Sequence, residues 1–483
     1  MKNIVSAFLV TVILVGTLVM AFDVRPVRAS GTIYIRTDGS IDPADAPIST
    51  FDNVTYVLTG NITSDAGGIV VQRSNIIVDG NGYTLQGTGS GIGIYWSVRK
   101  NVTIRNTNIK DFFEGIRKDY QSADARIVGN NVTNNKCGVA LSSFTYYSSI
   151  SGNNIEANVW YGIWLDCVSV PTASGNNITN NDITNSDFGI WLDWSSSNSI
   201  SGNNITDNQD GIILAYSDHN SISGNHITNN YGIGLYCSNY NSINGNNITN
   251  DYYGIDLDYS NYSIVSGNSI TNNSDGLELN CSSSNIISGN NITNNSNYGV
   301  ALFSSSDNSV SENDIESNSF GVFLYYSSTY NAISGNTIAD NSYGIEFCQS
   351  SDNTICHNSF DNVRQTNVII DQYPNIWDNG CEGNYWSDYT GTDSDGDGVG
   401  DMPYVIDRYN VDNCPLINRY WIPADVNNDL IVNILDVVKI TGAYGATPLS
   451  PHWNPHADIA KPFGKIDIFD IVLCTSHYGQ EWP

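Results

Sequence analysis

The stretch SISGNNITDNQDGIILAYSDHN, from Ser199 to Asn220, is followed at once by a second version of itself, SISGNHITNNYGIGLYCSNYN, from Ser221 to Asn241. Both copies keep the order Ile, Gly-Asn, Ile, Asn, Gly-Ile-x-Leu and Ser. A repeat of this length is typical of a solenoid, in which each unit buries its apolar residues only by stacking on its neighbours. The repeat therefore predicts the fold class.

The Gly-Asn element marks each unit along most of the chain. It recurs mainly at steps of 21 to 23 residues, with one step of 27, and weaker versions at Asn81 and Asn106 extend the series to about thirteen units. This regularity predicts coils of nearly equal length. The stronger copies contain Asn130, Asn153, Asn176, Asn203, Asn225, Asn246, Asn268, Asn290, Asn313, Asn336 and Asn358.

Each unit is expected to consist of short β-strands joined by tight turns. Gly or Asn recurs every few residues, which disfavours helix, and β-branched residues fill the positions between them. In the opening unit Ile200, Ile205, Ile212 and Leu214 are apolar, whereas their neighbours are mostly polar or small. Three strands closing one coil, with coils paired in parallel at ~4.8 Å, give a mainly β parallel solenoid.

The repeated Asn side chains are expected to form hydrogen-bonded ladders at the turns, because identical turns lie above one another. Many of these Asn residues fall in Asn-x-Thr sequons, which the repeat alone explains. Asn53, Asn61 and Asn261 are less constrained and are the glycosylation candidates.

Composition and the N-terminus limit the compartment and the partners. The formal charge of −30 repels nucleic acid and anionic lipid, so neither is an expected partner. Lys2, an apolar run and a small-residue cleavage site predict a secretory signal peptide over residues 1–29. An uncleaved membrane anchor is the alternative. No second apolar stretch is long enough to span a bilayer, so we expect a secreted or cell-surface protein with no other membrane contact.

Several segments outside the repeat resemble the two ends of known β-helices. They are GTIYIRTDGSIDP (Gly31–Pro43), GNYWSDY (Gly383–Tyr389), DSDGDGVGD (Asp393–Asp401) and PYVID (Pro403–Asp407). With the repeat, they resemble the NosD-like family, within the wider group of carbohydrate-binding proteins and sugar hydrolases. The resemblance implies a right-handed, single-stranded parallel β-helix over residues 30–380, closed by the acidic segment 381–422.

After Pro423 the repeat stops and two related segments follow, Ala424–Gly445 and Ala457–Gly479. The first has oxygen ligands at loop positions 1, 3, 5, 7, 9 and 12, a spacing that suits calcium, and an apolar helix follows the loop. The second is incomplete. The ligands of the first loop are Asp425, Asn427, Asp429, the Ile431 carbonyl, Asn433 and Asp436, and the second loop retains Asp458, Asp467 and Asp470.

Duplicated loop-helix units of this kind resemble a dockerin. The resemblance implies that residues 423–483 form a small α-helical, calcium-dependent module that docks onto a cohesin-like or other surface partner. A calcium-stapled terminal cap with no partner is the alternative. The loop positions that often carry hydroxyl residues in cellulosomal dockerins are Ile434-Leu435 and Ile468-Phe469 here, which argues against an ordinary cohesin.

The acidic closing segment predicts another structural calcium site. Asp393, Asp395, Asp397 and Asp401 occupy positions 1, 3, 5 and 9 of a loop, with glycine at the sharp turn. Position 12 is Tyr404 rather than an acid, so a solvated acidic turn is the alternative.

The outward residues of the Gly-Ile-x-Leu strands are where a functional site is expected. Trp164 and Trp191 should lie on adjacent coils beside Asp166 and Asp193. Aromatic faces beside carboxylates suit the apolar faces and hydroxyls of sugar rings, so these residues are the carbohydrate-binding candidates. The alternative is that the Trp side chains only cover their neighbours on the sheet.

Asp256, Asp258 and Glu278 gather carboxylates one coil apart, near the ~5 Å that a retaining glycosidase pair needs, and are the catalytic candidates. A solvated or cation-bridged cluster is the alternative. The NosD-like resemblance also raises copper, which prefers Met, Cys and His ligands. His219 and His226 lie on neighbouring turns without a third partner, so polar turn residues are favoured over copper.

The sequence favours an exported, non-catalytic protein that binds glycan or forms a structural or adhesive rod, with a calcium-dependent docking module. An extracellular polysaccharide hydrolase or lyase, tethered through that module, is the first alternative. A NosD-type maturation factor for a copper enzyme is the second, and the residues disfavour it.

Overall fold

A computed structural model describes residues 27–28, 31–142, 144–167, 174–369, 373–394, 397–418, 426, 432–447, 450, 457, 459 and 465–479. The predicted signal peptide lies outside these residues, except for 27–28. Among the described residues, no helix is long and apolar enough to cross a membrane. The chain divides into two compact units, Met1–Ser309 and Val310–Pro483.

The first unit is a right-handed parallel β-solenoid with three sheets, and the two units together contain about 14 turns. We name the sheets after their commonest strand sequence. The strands of the NIT sheet are Val27–Arg28, Ile62–Thr63, Thr84–Gln86, Asn108–Lys110, Asn131–Thr133, Asn154–Glu156, Asp182–Thr184, Asn204–Thr206, His226–Thr228, Asn247–Thr249, Ser269–Thr271 and Asn291–Thr293.

The GIxL sheet has the longest strands. They are Ile33–Ile35, Ile41–Asp42, Ile69–Val71, Ile92–Ser97, Glu114–Asp119, Cys137–Ser142, Tyr161–Asp166, Phe188–Asp193, Asp210–Ala215, Ile233–Tyr236, Tyr253–Asp258, Asp275–Asn280 and Tyr298–Phe303. The strands of the SIS sheet are Ile48–Thr50, Thr55–Leu58, Ile76–Asp79, Val102–Arg105, Arg126–Val128, Ser149–Ser151, Asn177–Thr179, Ser199–Ser201, Ser221–Ser223, Ser242–Asn244, Ile264–Ser266 and Ile286–Ser288. Neighbours pair in parallel except in two short antiparallel pairs near the N-terminal end.

The inward residues of the three sheets form one apolar interior. In the opening repeat Ile200, Ile205, Ile212 and Leu214 are all fully buried, as the alternation predicts. Burying such a side chain contributes about 1.5–3 kcal/mol, but only when a coil has neighbours on both sides. The stacking predicted from the repeat is confirmed.

Each turn depends on two consecutive residues, one with a left-handed backbone conformation and one with a buried, hydrogen-bonded side chain. Gly202 adopts the left-handed conformation, with φ of 63°, and the following Asn203 turns its side chain inward. The Asn203 side-chain nitrogen donates to Asn225 Oδ1 on the next coil at 2.9 Å, and the Asn203 backbone N–H donates to the same oxygen at 3.0 Å. The predicted Asn ladder is confirmed, with the left-handed torsion supplied by the preceding residue.

Other corners of the coil use the same pairing of a left-handed residue with a buried polar one. At the corner after each GIxL strand, for example, the backbone N–H of Ser195 donates to the Ser217 hydroxyl at 2.9 Å. Side-chain hydrogen bonds at several corners therefore join each of these coils to the next. Ladder residues include Asn181, Asn203, Asn225, Asn246, Asn268 and Asn290; Asn208, Asn230, Asp251 and Asn273; Asn176, Asn198, Asn220 and Asn241; and Ser195, Ser217, Ser238, Ser260 and Ser282.

The unit with the 27-residue step corrects one assignment made from the repeat. The spacing places Asn176 in the Gly-Asn series, but Asn176 donates to Asn198 in the ladder beside the SIS sheet. Asn181 takes the place expected of Asn176, since it donates to Asn203 at 2.9 Å. Two Asn-Asn pairs follow each other closely here, and the sequence does not distinguish which pair faces which sheet.

One interior position departs from the apolar pattern. Lys118 is fully buried at the strand position that Trp96 and Leu141 occupy on the adjacent coils. Its ammonium group donates to the Ser148 hydroxyl, and burial lowers the pKa of Lys118 to about 7. Protonation of Lys118 is therefore less favourable in the folded protein than in the unfolded chain. As a result, the free energy of unfolding decreases as the pH falls from about 10.5 to about 7.

The second unit holds further solenoid strands and two helices. Its longest strands, Phe320–Tyr325 and Tyr343–Cys348, pair in parallel. We label the helices α1 (Ile434–Gly442) and α2 (Ile468–Ser476). The other strands are Ser309–Ser311, Asp314–Glu316, Ala332–Ser334, Thr337–Ala339, Thr354–Cys356, Ser359–Asp361, Thr366–Val368, Tyr385–Trp386, Tyr404–Val405 and Val411–Asp412.

The closing segment ends a ladder with a carboxylate. Asn358 donates to Asn384 at 3.0 Å, and the Asn384 backbone N–H donates to Asp412 Oδ2 at 2.8 Å. The indole N–H of Trp386 donates to the same oxygen at 2.9 Å, and Trp386 stacks on Tyr404 at 4.3 Å. A carboxylate only accepts, so it can end a ladder without leaving a donor unpaired. The GNYWSDY and PYVID motifs are therefore parts of a structural cap.

The two helices form a duplicated pair, as the two related C-terminal segments predict. Each begins with a capping box, Asn433 with Asp436 in α1 and Asp467 with Asp470 in α2. The halves exchange equivalent backbone bonds: Gly445 N–H donates to the Ile466 carbonyl at 2.8 Å, and Gly479 N–H donates to the Val432 carbonyl at 2.7 Å. Their shared apolar core includes Val432, Ile440, Ala443, Ile466 and Cys474.

Asp251 is an exception within a ladder of asparagines. Its Oδ1 accepts the backbone N–H of Asn230 at 2.5 Å, and its own N–H donates to Asn273 Oδ1 at 2.9 Å. Its Oδ2 is buried without a hydrogen-bond partner. Desolvation raises the pKa of Asp251 to about 7.

We predict that Asp251→Asn raises the free energy of unfolding by about 1–3 kcal/mol at about pH 8.5, because it removes a buried, half-paired carboxylate. A carboxyl whose pKa is raised by folding stabilises the protein below its unfolded pKa and loses that contribution as the pH rises through about 7. The gain should therefore nearly vanish at about pH 4, which urea unfolding at both pH values will measure. Asp340→Asn, on the exposed surface, is the control, and an equal gain at both pH values would contradict the prediction.

Candidate functional site

The outward face of the GIxL sheet in the first unit carries the candidate residues in straight columns. Register pairs place Trp164 beside Trp191 and Asp166 beside Asp193 on adjacent coils. Farther along, Asp256 pairs with Glu278. The register predicted from the repeat is confirmed here. The central column runs Arg117, Ala140, Trp164, Trp191, Ile213, Gly234, Asp256, Glu278 and Ala301.

Two rings, Tyr161 and Phe188, pack around the two tryptophans. Tyr161 stacks on Trp164 at 5.0 Å and on Phe188 at 5.3 Å, and Phe188 meets Trp191 edge-on at 4.4 Å. All four side chains are half-buried. The tryptophans thus cover their neighbours and also keep part of each ring at the surface. The packing fixes the ring orientations, as a binding platform requires.

The two carboxylates beside the rings are withdrawn from solvent. Asp166 is 9% exposed and Asp193 is half-buried. Desolvation, followed by repulsion from Asp193, raises the pKa of Asp166, and desolvation raises that of Asp193. Carboxylate oxygens accept hydrogen bonds from hydroxyl groups, so both side chains suit hydroxyl-bearing ligands.

A basic side chain that sequence reasoning missed lies at one end of the aromatic cluster. Arg117 forms ion pairs with Glu114 at 2.6 Å and with Asp119 at 3.7 Å. Its charge acts against the upward shift in the pKa of Asp166, so the guanidinium lies within electrostatic range of the cluster. The sequence could have indicated this residue, since the repeat places Arg117 in the same outward column as Trp164. The small residues Cys137, Ala140 and Ser142 are buried between them.

The acidic cluster lies on the same face, and the structure brings its members together. Asp256 is 8% exposed, although it belongs to the outward column. Desolvation, together with the charges of Glu278 and Asp258, raises the pKa of Asp256 to about 7. Desolvation and the charges of Asp275 and Asp258 raise the pKa of Glu278 to about 7. Near neutral pH the pair therefore shares protons rather than carrying two full charges.

Tyrosine side chains enclose the acidic cluster. Tyr231 meets Tyr253 edge-on at 4.8 Å and stacks on Tyr252 at 5.5 Å. The space above Gly234 is filled rather than open, because a Cβ there would lie 3.1 Å from the Tyr236 ring. Desolvation, together with the charge of Asp256, raises the pKa values of Tyr231, Tyr236 and Tyr253, so these rings lie within electrostatic range of the acidic cluster.

The other two tryptophans of this region lie apart from the cluster. Trp160 packs edge-on against Phe113 at 5.4 Å. Trp194 follows the GIxL strand at a left-handed corner, with φ of 49°, and stacks on Tyr216 at 4.7 Å. Neither ring contributes to the packing around Trp164 and Trp191.

The predicted calcium loop of the closing segment is partly described. Asp393 accepts the backbone N–H of Gly398 at 3.0 Å, and Gly398 makes the expected sharp turn with φ of 89°. Asp401 accepts the Ser394 hydroxyl at 2.6 Å. Asp397 accepts the Val399 N–H, whereas Asp395 lies outside the described residues. Calcium at this loop stays a prediction.

The predicted ligands of the C-terminal loops are described only at the helix starts. Asp436 Oδ2 accepts the Asn433 N–H at 2.7 Å, and Asp470 Oδ2 accepts the Asp467 N–H at 2.7 Å. Loop positions 9 and 12 are therefore adjacent in both halves, as a calcium loop requires. The remaining predicted ligands lie outside the described residues: Asp425, Asn427, Asp429, Ile431 and Asp458.

These features define a parallel β-helix protein with an aromatic and carboxylate outward face. The chain belongs to the NosD family, described as periplasmic copper-binding protein, whose family model matches residues 33–184, 166–282 and 238–391. It is also 44% identical over 55 residues to the probable ABC transporter binding protein NosD of Pseudomonas aeruginosa. That match covers 11% of this chain and 13% of the relative's length.

Solved structures of low sequence identity are also similar to this chain. A mutant of the periplasmic alginate epimerase AlgG matches with a TM-score of 0.43 and 15% identity, covering 71% of this chain and 86% of the epimerase. DFA-IIIase from Arthrobacter chlorophenolicus matches with a TM-score of 0.35 and 14% identity, covering 50% of this chain and 68% of that enzyme.

The described residues do not fit copper. Among them, no three His, Cys, Asp or Glu side chains lie close enough to hold a metal ion together. His219 lies at a corner, as predicted, and stacks on Tyr240 at 5.0 Å. The turn predicted for His226 is wrong, because His226 begins the strand His226–Thr228, where it faces Asn247 and Thr228. Met402 is exposed. We therefore derive no step through copper.

Proposed function

We propose that this chain is an exported carbohydrate-binding protein and that the outward face of the GIxL sheet holds the glycan. The observation that carries the proposal is the in-register pair Trp164 and Trp191, with Asp166 and Asp193 in register beside them. The rings offer apolar faces to a pyranose, and the carboxyls offer hydrogen bonds to its hydroxyls. Repetition of the same pair on adjacent coils suits an extended chain more than a single sugar.

The surroundings support a neutral ligand. The positive charge of Arg117 acts on Asp166 and offsets part of the negative charge beside the rings. A strongly anionic polysaccharide would still meet an acidic protein with formal charge −30. We infer that the glycan is uncharged.

Trp191→Ala is predicted to weaken glycan binding by about tenfold, or ~1.4 kcal/mol, because it removes one ring of the platform. Affinity electrophoresis against soluble neutral β-glucans, xylan and mannan, with the full chain, provides the measurement. Trp194→Ala is the matched control, since Trp194 is an exposed Trp outside the cluster, and it should leave affinity unchanged. Equal losses for both variants, or no binding to any of these glycans, would reject the proposal.

A second candidate function, polysaccharide hydrolysis, rests on the desolvated pair Asp256 and Glu278. Their register places the two carboxyls on adjacent coils, near the ~5 Å separation of retaining glycosidases. Asp256, the more buried group, would protonate the leaving glycosidic oxygen, and Glu278 would attack the anomeric carbon as that bond breaks. Water, deprotonated by Asp256, would then release the sugar and regenerate both groups.

Glu278→Gln distinguishes hydrolysis from simple binding. If the pair is catalytic, wild-type protein releases new reducing ends from one of the neutral glycans, and Glu278→Gln lowers that rate by at least about 10³-fold. Glu346→Gln is the control, because Glu346 is a buried carboxyl on another GIxL-type strand that accepts an amide from Asn367. Absence of reducing ends from wild-type protein excludes the hydrolase and leaves the binding proposal intact.

We further propose that residues 423–483 form a calcium-dependent docking module. The capping boxes bring positions 9 and 12 of each loop together, and the reciprocal backbone bonds join the two halves. Ile434 and Leu435 in α1, and their counterparts Ile468 and Phe469 in α2, are more than half exposed. Such apolar surfaces suit a protein partner with an apolar face better than one that recognises hydroxyls.

Asp425→Ala is predicted to abolish calcium-dependent stabilisation of the tail, because Asp425 is the first ligand of the complete loop. At calcium concentrations about 100-fold above Kd, wild-type protein should gain about 2.7 kcal/mol over chelated protein. Asp458→Ala, at the equivalent position of the incomplete loop, should retain this gain. Thermal melting followed by helical circular dichroism measures both, and a wild-type melt unchanged by chelator would refute the calcium assignment.

A further inference from the structure

The outward face of the NIT sheet carries a regular pattern that glycan binding does not use. In register, its first outward column runs Asn204, His226, Asn247, Ser269 and Asn291 on successive coils. Asparagine thus occurs on alternate coils, and coils stack at ~4.8 Å, so these Asn residues are spaced at ~10 Å.

Each of these asparagines begins an Asn-Ile-Thr sequon whose geometry is set by the strand. Residues i and i+2 of a strand point to the same side, so Asn247 and Thr249 both face solvent while Ile248 is fully buried. Asn204 and Asn291 are exposed in the same way. The buried ladder is formed by the preceding residue, as Asn246 shows by donating to Asn268 at 2.9 Å.

We infer from this arrangement that the repeat alone does not account for these sequons. Stacking requires Asn203, Asn246 and Asn290, which are buried, but it does not require the exposed asparagine that follows each of them. His226 and Ser269 show this directly, because they occupy the same column without disturbing the register.

We propose that Asn204, Asn247 and Asn291 are attachment sites for N-linked oligosaccharides, forming a row on the face of the coil built by the NIT sheet. The proposal rests on export, which the apolar N-terminal segment predicts, but not on glycan binding by the GIxL sheet. The two sheets form different sides of the coil, so attached glycans leave the aromatic face free. Spacing on alternate coils gives each oligosaccharide twice the room that consecutive coils would allow.

The glycosylation candidates chosen from sequence fit less well. Asn261 Oδ1 accepts the Ser283 N–H at 2.7 Å, and its side-chain nitrogen donates to Asn239 at 3.2 Å. Asn61 Oδ1 accepts the Thr84 N–H at 2.9 Å. Both side chains are only half-exposed, and both accept a backbone N–H from a neighbouring coil, whereas Asn53 is exposed and remains a candidate.

The reaction would use a polyprenyl-phosphate-linked oligosaccharide and the membrane transferase that consumes it. The amide nitrogen of asparagine attacks the anomeric carbon, the N–C bond forms as the bond to the phosphate oxygen breaks, and the amide proton passes to a base of the transferase. The product amide keeps one N–H. The Asn204 amide, which donates to Asp182 at 2.8 Å, can therefore keep this bond after modification.

The test is secretion of the full chain from yeast, followed by intact-mass measurement and peptide mapping after peptide N-glycosidase treatment in heavy-oxygen water. We expect Asn204, Asn247 and Asn291 to be modified and Asn261 to be unmodified. Thr249→Ala should remove the oligosaccharide from Asn247 alone, and Thr249→Ser should retain it.

Thr228→Ala is the matched control, because Thr228 lies in the same outward column but follows His226 rather than an asparagine. It should leave the intact mass unchanged apart from the substitution itself. Secreted protein that carries a glycan at Asn53 but none at the three proposed sites would overturn the proposal. Equal occupancy of Asn261 would also overturn it, since the fold would then exert no selection.

Discussion

The buried side-chain ladder is the interaction on which the rest of this structure depends. A carboxamide both donates and accepts, so an inward Asn at a corner can bond the coil before it and the coil after it without leaving a buried polar group unpaired. In Asn203 the amide nitrogen reaches Asn225 Oδ1 and also the Ile178 carbonyl, each at 2.9 Å. Ladders of this kind fix both the height and the rotation of each coil relative to its neighbours.

The ladder also explains where carboxylates occur among its members. Asp412 closes a ladder in the second unit, where an acceptor is required and a donor is not. Asp251 lies inside a ladder of the first unit, where one carboxylate oxygen is buried without a partner and desolvation raises the pKa of the carboxyl. An Asp in place of a ladder Asn therefore completes the hydrogen bonding at the end of a ladder. Inside a ladder, the same residue leaves a buried oxygen unpaired and is destabilising.

Much of the fold could be predicted because each repeat unit carries the same pattern of buried and turn residues. The period, the inward Ile positions and the column containing Trp164 and Trp191 all follow from aligning one unit on the next. The assignment of Asn176 was wrong because its segment contains two similar Asn-Asn pairs, and only the pairing of the strands separates them. Burial of Asp256 was also beyond the sequence, since the repeat places Asp256 in the outward column.

The outward face of the GIxL sheet differs from the rest of the surface in the pKa values of its acidic side chains. Composition alone implies a uniformly anionic protein, but burial raises the pKa values of Asp166, Asp193, Asp256 and Glu278, to about 7 for the last two. A solvated acidic surface repels anions and holds cations, whereas a partly protonated one can donate as well as accept hydrogen bonds. Burial on this face therefore brings the carboxyls of Asp256 and Glu278 to a pKa of about 7, at which they can donate as well as accept hydrogen bonds with hydroxyl-rich ligands.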